Sequence, residues 1–201
     1  FRRVLFRSQK NIKNIANGIS ILVAVMLSLL ILITPELMRF IAGPEYYEAI
    51  WVVPPIAASL FFLFMSQLSI NIEFYFGENT LLIKGSIISA LVNVVLNFIF
   101  IQMFGYIAAG YTTLIAYIIF CLTNYSCMKK ICKKEFGEEN WKLYDTKFLS
   151  ILSIGFLITM VVLTVLYPFV IVRYVIIAAI LFVLFLKRKL IIEKIKEVRK
   201  G

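Results

Sequence analysis

Long runs without a charged residue divide the chain into segments that are apolar on every side. About 20 mostly apolar residues span the hydrocarbon core of a bilayer as a helix. The runs do not alternate polar and apolar residues, as strands of a membrane barrel would, so they predict helices. Two of the longest runs contain a natural break, at Phe104-Gly105-Tyr106 and at Tyr167-Pro168. The pattern therefore predicts six transmembrane helices, at residues 17–35, 49–72, 83–103, 107–128, 148–167 and 169–189.

The composition agrees with this pattern. Of the 201 residues, 62% are hydrophobic and only 16% are charged, and the mean hydropathy is +0.94. Soluble domains are ~45–50% apolar and ~25% charged, and a soluble chain of this length has no single core large enough for so much apolar surface. These figures exclude an ordinary soluble enzyme, a disordered tail and a disulfide scaffold, and they indicate an all-α integral membrane protein.

The basic residues predict the orientation of the helices. In the predicted topology, 19 of the 21 Lys and Arg residues lie on one side of the membrane, and only Arg39 and Arg173 lie on the other. Loops rich in Lys and Arg stay in the cytoplasm, so both termini of this multi-pass protein are predicted to be cytoplasmic. The net charge of +10 is therefore a topology signal, and its second interpretation is attraction to anionic membrane lipids. It does not indicate a nucleic-acid partner.

Several kinds of chemistry are excluded by missing residues. The chain has no His, which removes the commonest general base and the commonest metal ligand. Its three cysteines, at positions 121, 127 and 132, do not form a C-x-x-C pair and are interpreted as small apolar residues near a helix end. We therefore expect neither an enzyme nor a cofactor or metal.

Polar side chains within the predicted spans are the remaining candidates for function, because they are costly in lipid. On span three, Asn93 and Asn97 share one helical face with Ser86 and Ala90. Two interpretations stay open for this pair of amides. They hold helices together by hydrogen bonds, or they line a path for a polar substrate, to which Thr113 on span four would also belong.

Glu73, near the end of span two, also has two interpretations. It lies across a short predicted hairpin from Lys84, so the two side chains could form an ion pair at the membrane interface. Alternatively, Glu73 has a role in gating or in coupling to protons or cations. At the other end of the same span, Pro54-Pro55 indicates either a broken helix, as in transporters, or an ordinary helix start.

An ordered set of short motifs resembles one family of membrane proteins. The motifs are GPEYYEA at residues 43–49, GENT at 77–80, NVVLN at 93–97, FGYIAAG at 104–110 and TTLIAY at 112–117. In this order they resemble the bacterial polysaccharide flippases, which are the O-antigen and teichoic-acid (Wzx-like) transporters. These flippases belong to the superfamily of multidrug and toxic-compound exporters and lipid II flippases. The resemblance covers roughly residues 17–130, and Ala108 stands where the family pattern has Gly.

The resemblance implies a function and a set of partners. Family members have two pseudo-symmetric lobes of helices, so the chain would be a C-terminal fragment whose partner, the N-terminal lobe of the same protein, is missing. Such a protein flips an undecaprenyl-pyrophosphate-linked oligosaccharide to the outer leaflet for polysaccharide biosynthesis. In this scheme Asn93, Asn97 and Thr113 would offer neutral hydrogen bonds to sugar, and Lys84 would meet the pyrophosphate at the cytoplasmic mouth. The family's cationic cavity residues lie largely in the missing half.

The predicted organisation has five parts. Residues 1–16 are a cytoplasmic segment, of which 1–8 are left open as native or foreign. Residues 17–128 are the four-helix part of the flippase C-terminal lobe, and 129–147 are a basic cytoplasmic loop. Residues 148–190 are an extra, lipid-facing helix pair, and 191–201 are a basic tail, predicted as a short interfacial helix.

Three other functions remain open. The first is a cation-coupled multidrug exporter of the same superfamily, for which Glu73 is the one acidic candidate within a span and lies near its end. The second is an integral-membrane enzyme of cell-envelope glycan synthesis. Such an enzyme should have clustered acidic residues or His at the membrane face, whereas the chain has one Asp, Asp145, and no His. The third is a membrane anchor or assembly subunit that transports nothing.

Overall fold

A computed structural model of the chain describes residues 2–138 and 141–188. The fold is all-α, as predicted, and the described residues form no strand. Within these described residues, six α-helices and one 3₁₀ helix follow one another. In order they are α1 (Arg2–Ile41), the 3₁₀ helix (Pro44–Trp51), α2 (Val53–Tyr75), α3 (Asn79–Phe104), α4 (Ala108–Phe136), α5 (Thr146–Val165) and α6 (Val170–Leu186).

The helices agree with the predicted spans, with one difference. Five of them, α1 to α5, are long and apolar enough to cross a membrane, whereas α6 has 17 residues and is shorter than the ~20 that a full span needs. The count of six spans is therefore approximate. Both predicted breaks are confirmed: α3 ends at Phe104 and α5 ends at Val165. At the first break, Gly105 has a φ of 72°, a value that side chains with a Cβ rarely adopt.

Consecutive helices run in opposite directions, so the bundle has two distinct ends. Helices α2 and α4 finish, and α3 and α5 begin, at the same end of the bundle. We call this end the basic end, because most of the basic residues outside α1 lie there. We call the other the opposite end; its basic residues are Arg39 and Arg173. The predicted helix at the start of the tail, within residues 190–198, lies outside the described residues.

Helix α2 is the centre of the bundle. It packs most extensively against α4 and also contacts α1, α3, α5 and the 3₁₀ helix. Most residues in its most apolar stretch of 18 residues are buried. Phe61 is completely buried, and the centroid of its ring is 4.6 Å from that of Phe156 on α5. Helix α5 also contributes Met160 and Leu163 to this core, and Ile176, Ile177 and Ile180 of α6 are partly buried against it.

Helix α3 is the most exposed of the long helices. It packs mainly against α4, and no residue in its most apolar stretch of 18 residues is buried. Leu91, Val94 and Phe98 are among its exposed side chains. In a membrane, this surface faces lipid or another polypeptide.

The prolines of α2 are those of an ordinary helix start. Pro54 and Pro55 occupy the first turn of α2, where a helix has no partner for the backbone N–H that proline lacks. Both are buried, and Gly110 of α4 lies directly against them. A Cβ atom on Gly110 would be 2.9 Å from Cγ of Pro55 and 3.1 Å from the backbone oxygen of Val52. At the opposite end of the bundle, the starts of α2 and α4 therefore approach each other so closely that only glycine fits at position 110.

The three cysteines are free thiols, as expected from their spacing. Cys132 is buried at the basic end, where it packs with Ala16 of α1 and with Trp141 and Leu143 of the segment that precedes α5. Helix α4 continues to Phe136, so the first part of the predicted basic loop is helical.

We expect Gly110→Ala to destabilise the protein by about 1–3 kcal/mol, because the new methyl group must push apart the backbones of α2 and α4. The matched control is Gly155→Ala on α5, where a Cβ would meet no atom within 4 Å. Thermal unfolding of the detergent-solubilised protein would measure both variants. Equal unfolding temperatures for the two would contradict the close approach.

Candidate functional site

The amides predicted on span three form a hydrogen-bonded ladder between α3 and α4. Asn97 donates from Nδ2 to Oδ1 of Asn93 at 3.0 Å, and Asn93 donates from Nδ2 to the hydroxyl of Thr113 at 3.5 Å. Thr113 in turn donates to the backbone oxygen of Ala109 at 2.7 Å. The hydroxyl of Thr112 donates to Oδ1 of Asn97 at 2.5 Å. The ladder thus joins α3 and α4 by side chains alone.

This ladder brings together three of the predicted site residues, and it adds one that the sequence reasoning missed. Asn93, Asn97 and Thr113 are all partly buried, and Thr112 is buried. Thr112 stands next to Thr113 in the TTLIAY motif, and this adjacency to a predicted member was the available signal. The ladder gives the amides the interhelical role that was one of their two interpretations, while their partial exposure leaves polar atoms at the α3–α4 surface.

Glu73 is an acidic side chain without a partner inside the bundle. It lies in the last turn of α2, its exposed fraction is 0%, and neither carboxylate oxygen has a hydrogen-bond partner. The expected ion pair with Lys84 is not formed within the described part of the chain, because Lys84 points outward and is exposed. Burying a charged carboxylate without a hydrogen bond or counter-charge costs free energy. Uptake of a proton or a cation removes this cost.

Asn124 on α4 lies at the same end of the bundle, and no role was predicted for it from the sequence. Its exposed fraction is also 0%. Nδ2 donates to the backbone oxygen of Phe120 at 2.8 Å, but Oδ1 has no partner. A Cβ on Gly85 of α3 would lie 3.6 Å from Oδ1 of Asn124, so α3 closes over this oxygen.

The five predicted site residues therefore form two groups instead of one path. Asn93, Asn97 and Thr113 belong to the ladder, whereas Glu73 and Lys84 lie at the basic end. Lys84 and Asn93 are separated by nine positions on α3, which is about 14 Å along a helix. A substrate that met both groups would have to extend along this length of α3.

A buried ion pair joins α1 to α6 at the opposite end. Nη1 and Nη2 of Arg173 donate to the two carboxylate oxygens of Glu36 at 2.8 and 2.7 Å, and Nη1 also donates to the backbone oxygen of Leu32 at 2.7 Å. The exposed fraction of Arg173 is 2%. Pro35 lies inside α1 and lacks the N–H that would bond to the oxygen of Ile31, and the oxygen of Leu32 in the same turn accepts from Arg173.

The sequence reasoning placed Arg173 in a turn on the outer side and did not identify Glu36. The available signal was one cation within an otherwise uncharged run, together with one acid beside Pro35 at the same predicted end. The geometry is that of a structural tie for the short helix α6, because the bidentate contact fixes both distance and orientation.

Two features of the described residues outside these polar groups concern a groove and metal binding. A shallow groove of about 420 Å³ lies between α1 and α5, and its lining includes Ala24, Ile151 and Phe156. The predicted site residues lie elsewhere, on α2, α3 and α4. Within residues 2–138 and 141–188, no group of three or more His, Cys, Asp or Glu side chains could hold a metal ion.

We expect Arg173→Met to destabilise the bundle by about 3 kcal/mol, the lower end of the range for breaking a buried ion pair. The lower end applies because the Glu36 side chain is 28% exposed. The matched control is Arg39→Met, which removes an exposed cation at the same end and should cost little. Unfolding in mixed micelles would measure the variants.

The double variant Glu36→Gln/Arg173→Met distinguishes a tie from a general packing effect. It leaves no unpaired charge, so part of the lost stability should return. A double variant as unstable as the sum of its single variants would show that the two side chains do not interact.

Comparisons with known proteins assign no family to this geometry. No protein-family model, no curated protein and no solved structure matches the chain. A function can therefore be inferred only from the residues themselves and from the resemblance of the ordered motifs described above.

Proposed function

We propose that the chain is part of a transporter in the bacterial cytoplasmic membrane that flips a lipid-linked oligosaccharide between leaflets. The observation that carries the transport proposal is Glu73, a fully buried carboxyl with no partner for either oxygen. An ionisable group inside a membrane bundle indicates function by default, because a purely structural protein would gain stability by replacing it. A membrane anchor gives no reason to retain Glu73.

The proposed role of Glu73 is coupling. Its carboxyl takes up a proton or a cation in one conformation and releases it in another, so that the ion gradient favours one direction of transport. Asn124 supports this role, since its free Oδ1 lies at the same end and would suit either ligand. An equilibrium between two conformations shifts only as far as the ion's affinity differs between them, and burial of Glu73 in one conformation supplies such a difference.

The proposed substrate class depends on the ladder and on the motif resemblance. The ladder of Asn93, Asn97, Thr112 and Thr113 consists of neutral amides and hydroxyls, which hydrogen-bond sugar hydroxyls without demanding a charge. A sugar headgroup cannot enter ~30 Å of hydrocarbon without such partners. In this proposal the lipid tail stays beside the exposed apolar surface of α3 while the headgroup follows α3 and α4.

The burial of Glu73 favours a second candidate, a cation-coupled exporter of small molecules. The sequence placed Glu73 near a helix end, which counted against that function, but the side chain is sealed inside the bundle. The two candidates differ in substrate. A flippase acts on a lipid-linked oligosaccharide, whereas an exporter protects cells against soluble toxic cations.

We expect Asn93→Leu/Asn97→Leu to lower flipping by roughly tenfold, because two hydrogen-bonding groups are lost from the path. The assay follows a fluorescent lipid-linked oligosaccharide in proteoliposomes of the complete gene product, with a membrane-impermeant quencher. Gln102→Leu, an exposed polar residue on the same helix, is the matched control. Unchanged flipping at equal protein abundance would remove both amides from the substrate path.

We expect Glu73→Gln to abolish the response of transport to an imposed ion gradient while the protein remains folded, because a neutral amide cannot exchange a proton or bind a cation. The gradient is imposed as protons in one experiment and as sodium in another. Glu48→Gln, an exposed acid at the opposite end, is the control. Full gradient dependence in Glu73→Gln would exclude the coupling role, and protection against toxic cations without flipping would favour the exporter.

A further inference from the structure

The segment just before α5 is held firmly against the basic end of the bundle. Trp141, Leu143 and Tyr144 are all buried, and the hydroxyl of Tyr144 donates to the backbone oxygen of Leu68 on α2 at 2.9 Å. Burial raises the pKa of Tyr144 to about 12, so this hydroxyl keeps its proton and stays a donor. The side chain of Asp145 then accepts from the backbone N–H of Phe148 and caps α5. The segment is a fixed part of the fold.

Two lysines converge on the indole ring of Trp141. The ammonium groups of Lys129 and Lys142 lie 5.3 and 5.8 Å from the ring centroid, within the range of a cation–π contact. In the described part of the chain, Glu138 and Glu78 at this end pair with other lysines, Lys133 and Lys134. Two like charges are thus gathered at one ring, and no acidic side chain within residues 2–138 and 141–188 forms an ion pair with either.

The position of Lys129 along α4 sets its depth in a membrane. Helix α4 begins at Ala108, and about 20 residues at 1.5 Å each cross the hydrocarbon. Met128 is therefore close to the last residue at hydrocarbon depth, and Lys129 is close to the first at the level of the phosphates. Tryptophan is also enriched at this level, where its ring is apolar and its N–H is wet.

We propose that Lys129, Trp141 and Lys142 form a binding site for the phosphate headgroup of an anionic membrane phospholipid. The phosphate would accept hydrogen bonds from both ammonium groups and offset part of their charge, and the acyl chains would continue along the apolar surface of the bundle. A membrane lipid is favoured over a soluble phosphate because the site lies at headgroup depth, in the leaflet predicted to be cytoplasmic, where anionic lipids are enriched. This inference does not depend on the proposed transport function.

The protein carries its own reporter for the test. It has two tryptophans, Trp51 and Trp141, so Trp51→Phe leaves Trp141 as the sole source of indole fluorescence. This variant is placed in phosphatidylcholine nanodiscs that contain, at equal mole fraction, either brominated phosphatidylglycerol or brominated phosphatidylcholine. Bromine quenches indole on contact, so we expect stronger quenching by the anionic lipid. Equal quenching by the two lipids would overturn the proposal.

Substitution of the lysines identifies the groups responsible. In the Trp51→Phe background, Lys129→Gln/Lys142→Gln should remove the preference for the anionic lipid, by about fivefold for each lysine. Lys129→Arg/Lys142→Arg should retain the preference, which separates loss of charge from loss of fold. The control Lys147→Gln/Lys187→Gln removes two exposed charges from the same end and should also retain it. Equal loss in the control would reduce the effect to general surface charge and overturn the site.

A soluble phosphate is the competing ligand. Inorganic pyrophosphate is titrated into nanodiscs of phosphatidylcholine alone, and the emission of Trp141 is followed. We expect no saturable change. A saturable change that disappears in Lys129→Gln/Lys142→Gln would show a site for free phosphate and would overturn the assignment to a lipid.

Discussion

Hydrocarbon offers no hydrogen-bond partner, so each polar side chain of the bundle has to find its partner within the protein. Most of its buried hydroxyls turn back on their own helix. Ser20 and Ser28 of α1, for example, donate to the backbone oxygens four residues earlier, at 2.7 and 2.8 Å. Such a bond satisfies the hydroxyl without help from a neighbour. These residues therefore pack as small side chains and leave the helix surfaces effectively apolar.

Polar groups that cannot satisfy themselves are distributed unevenly. At the opposite end, the guanidinium of Arg173 donates to Glu36 and to the carbonyl of Leu32, so the buried cation has a counter-charge. In the described part of the chain, its Nε and the hydroxyl of Tyr167 have no partner. At the basic end, Glu73 has no counter-charge within the described residues, and Asn124 keeps an unpartnered oxygen. The two ends therefore differ in the pairing of their buried charges, and the coupling role proposed for Glu73 belongs to the end with the unpaired carboxyl.

Much of the fold could be predicted because charge-free runs and helix breakers are local signals. The break at Gly105 follows from backbone sterics at one residue, and the start of α2 follows from two prolines. The burial of Glu73 could not be predicted in the same way. Its position in the sequence is near a helix end, but α4 extends beyond the expected boundary to Phe136 and the segment around Trp141 folds over the same end. Both are tertiary effects, and neither has a local signature.

The pair between Glu36 and Arg173 also shapes how the chain enters the membrane. The two residues are 137 positions apart, so α1 is synthesised long before α6. Helix α6 is short, and an arginine in its first turn raises the cost of transfer from the translocon into lipid, although by less than the ~2.5–3.5 kcal/mol of a helix centre. The carboxylate of Glu36, which offsets this cost, is already in place on α1 when α6 is made. Helix α6 can therefore insert by packing against α1, and its transfer into lipid alone does not have to be favourable.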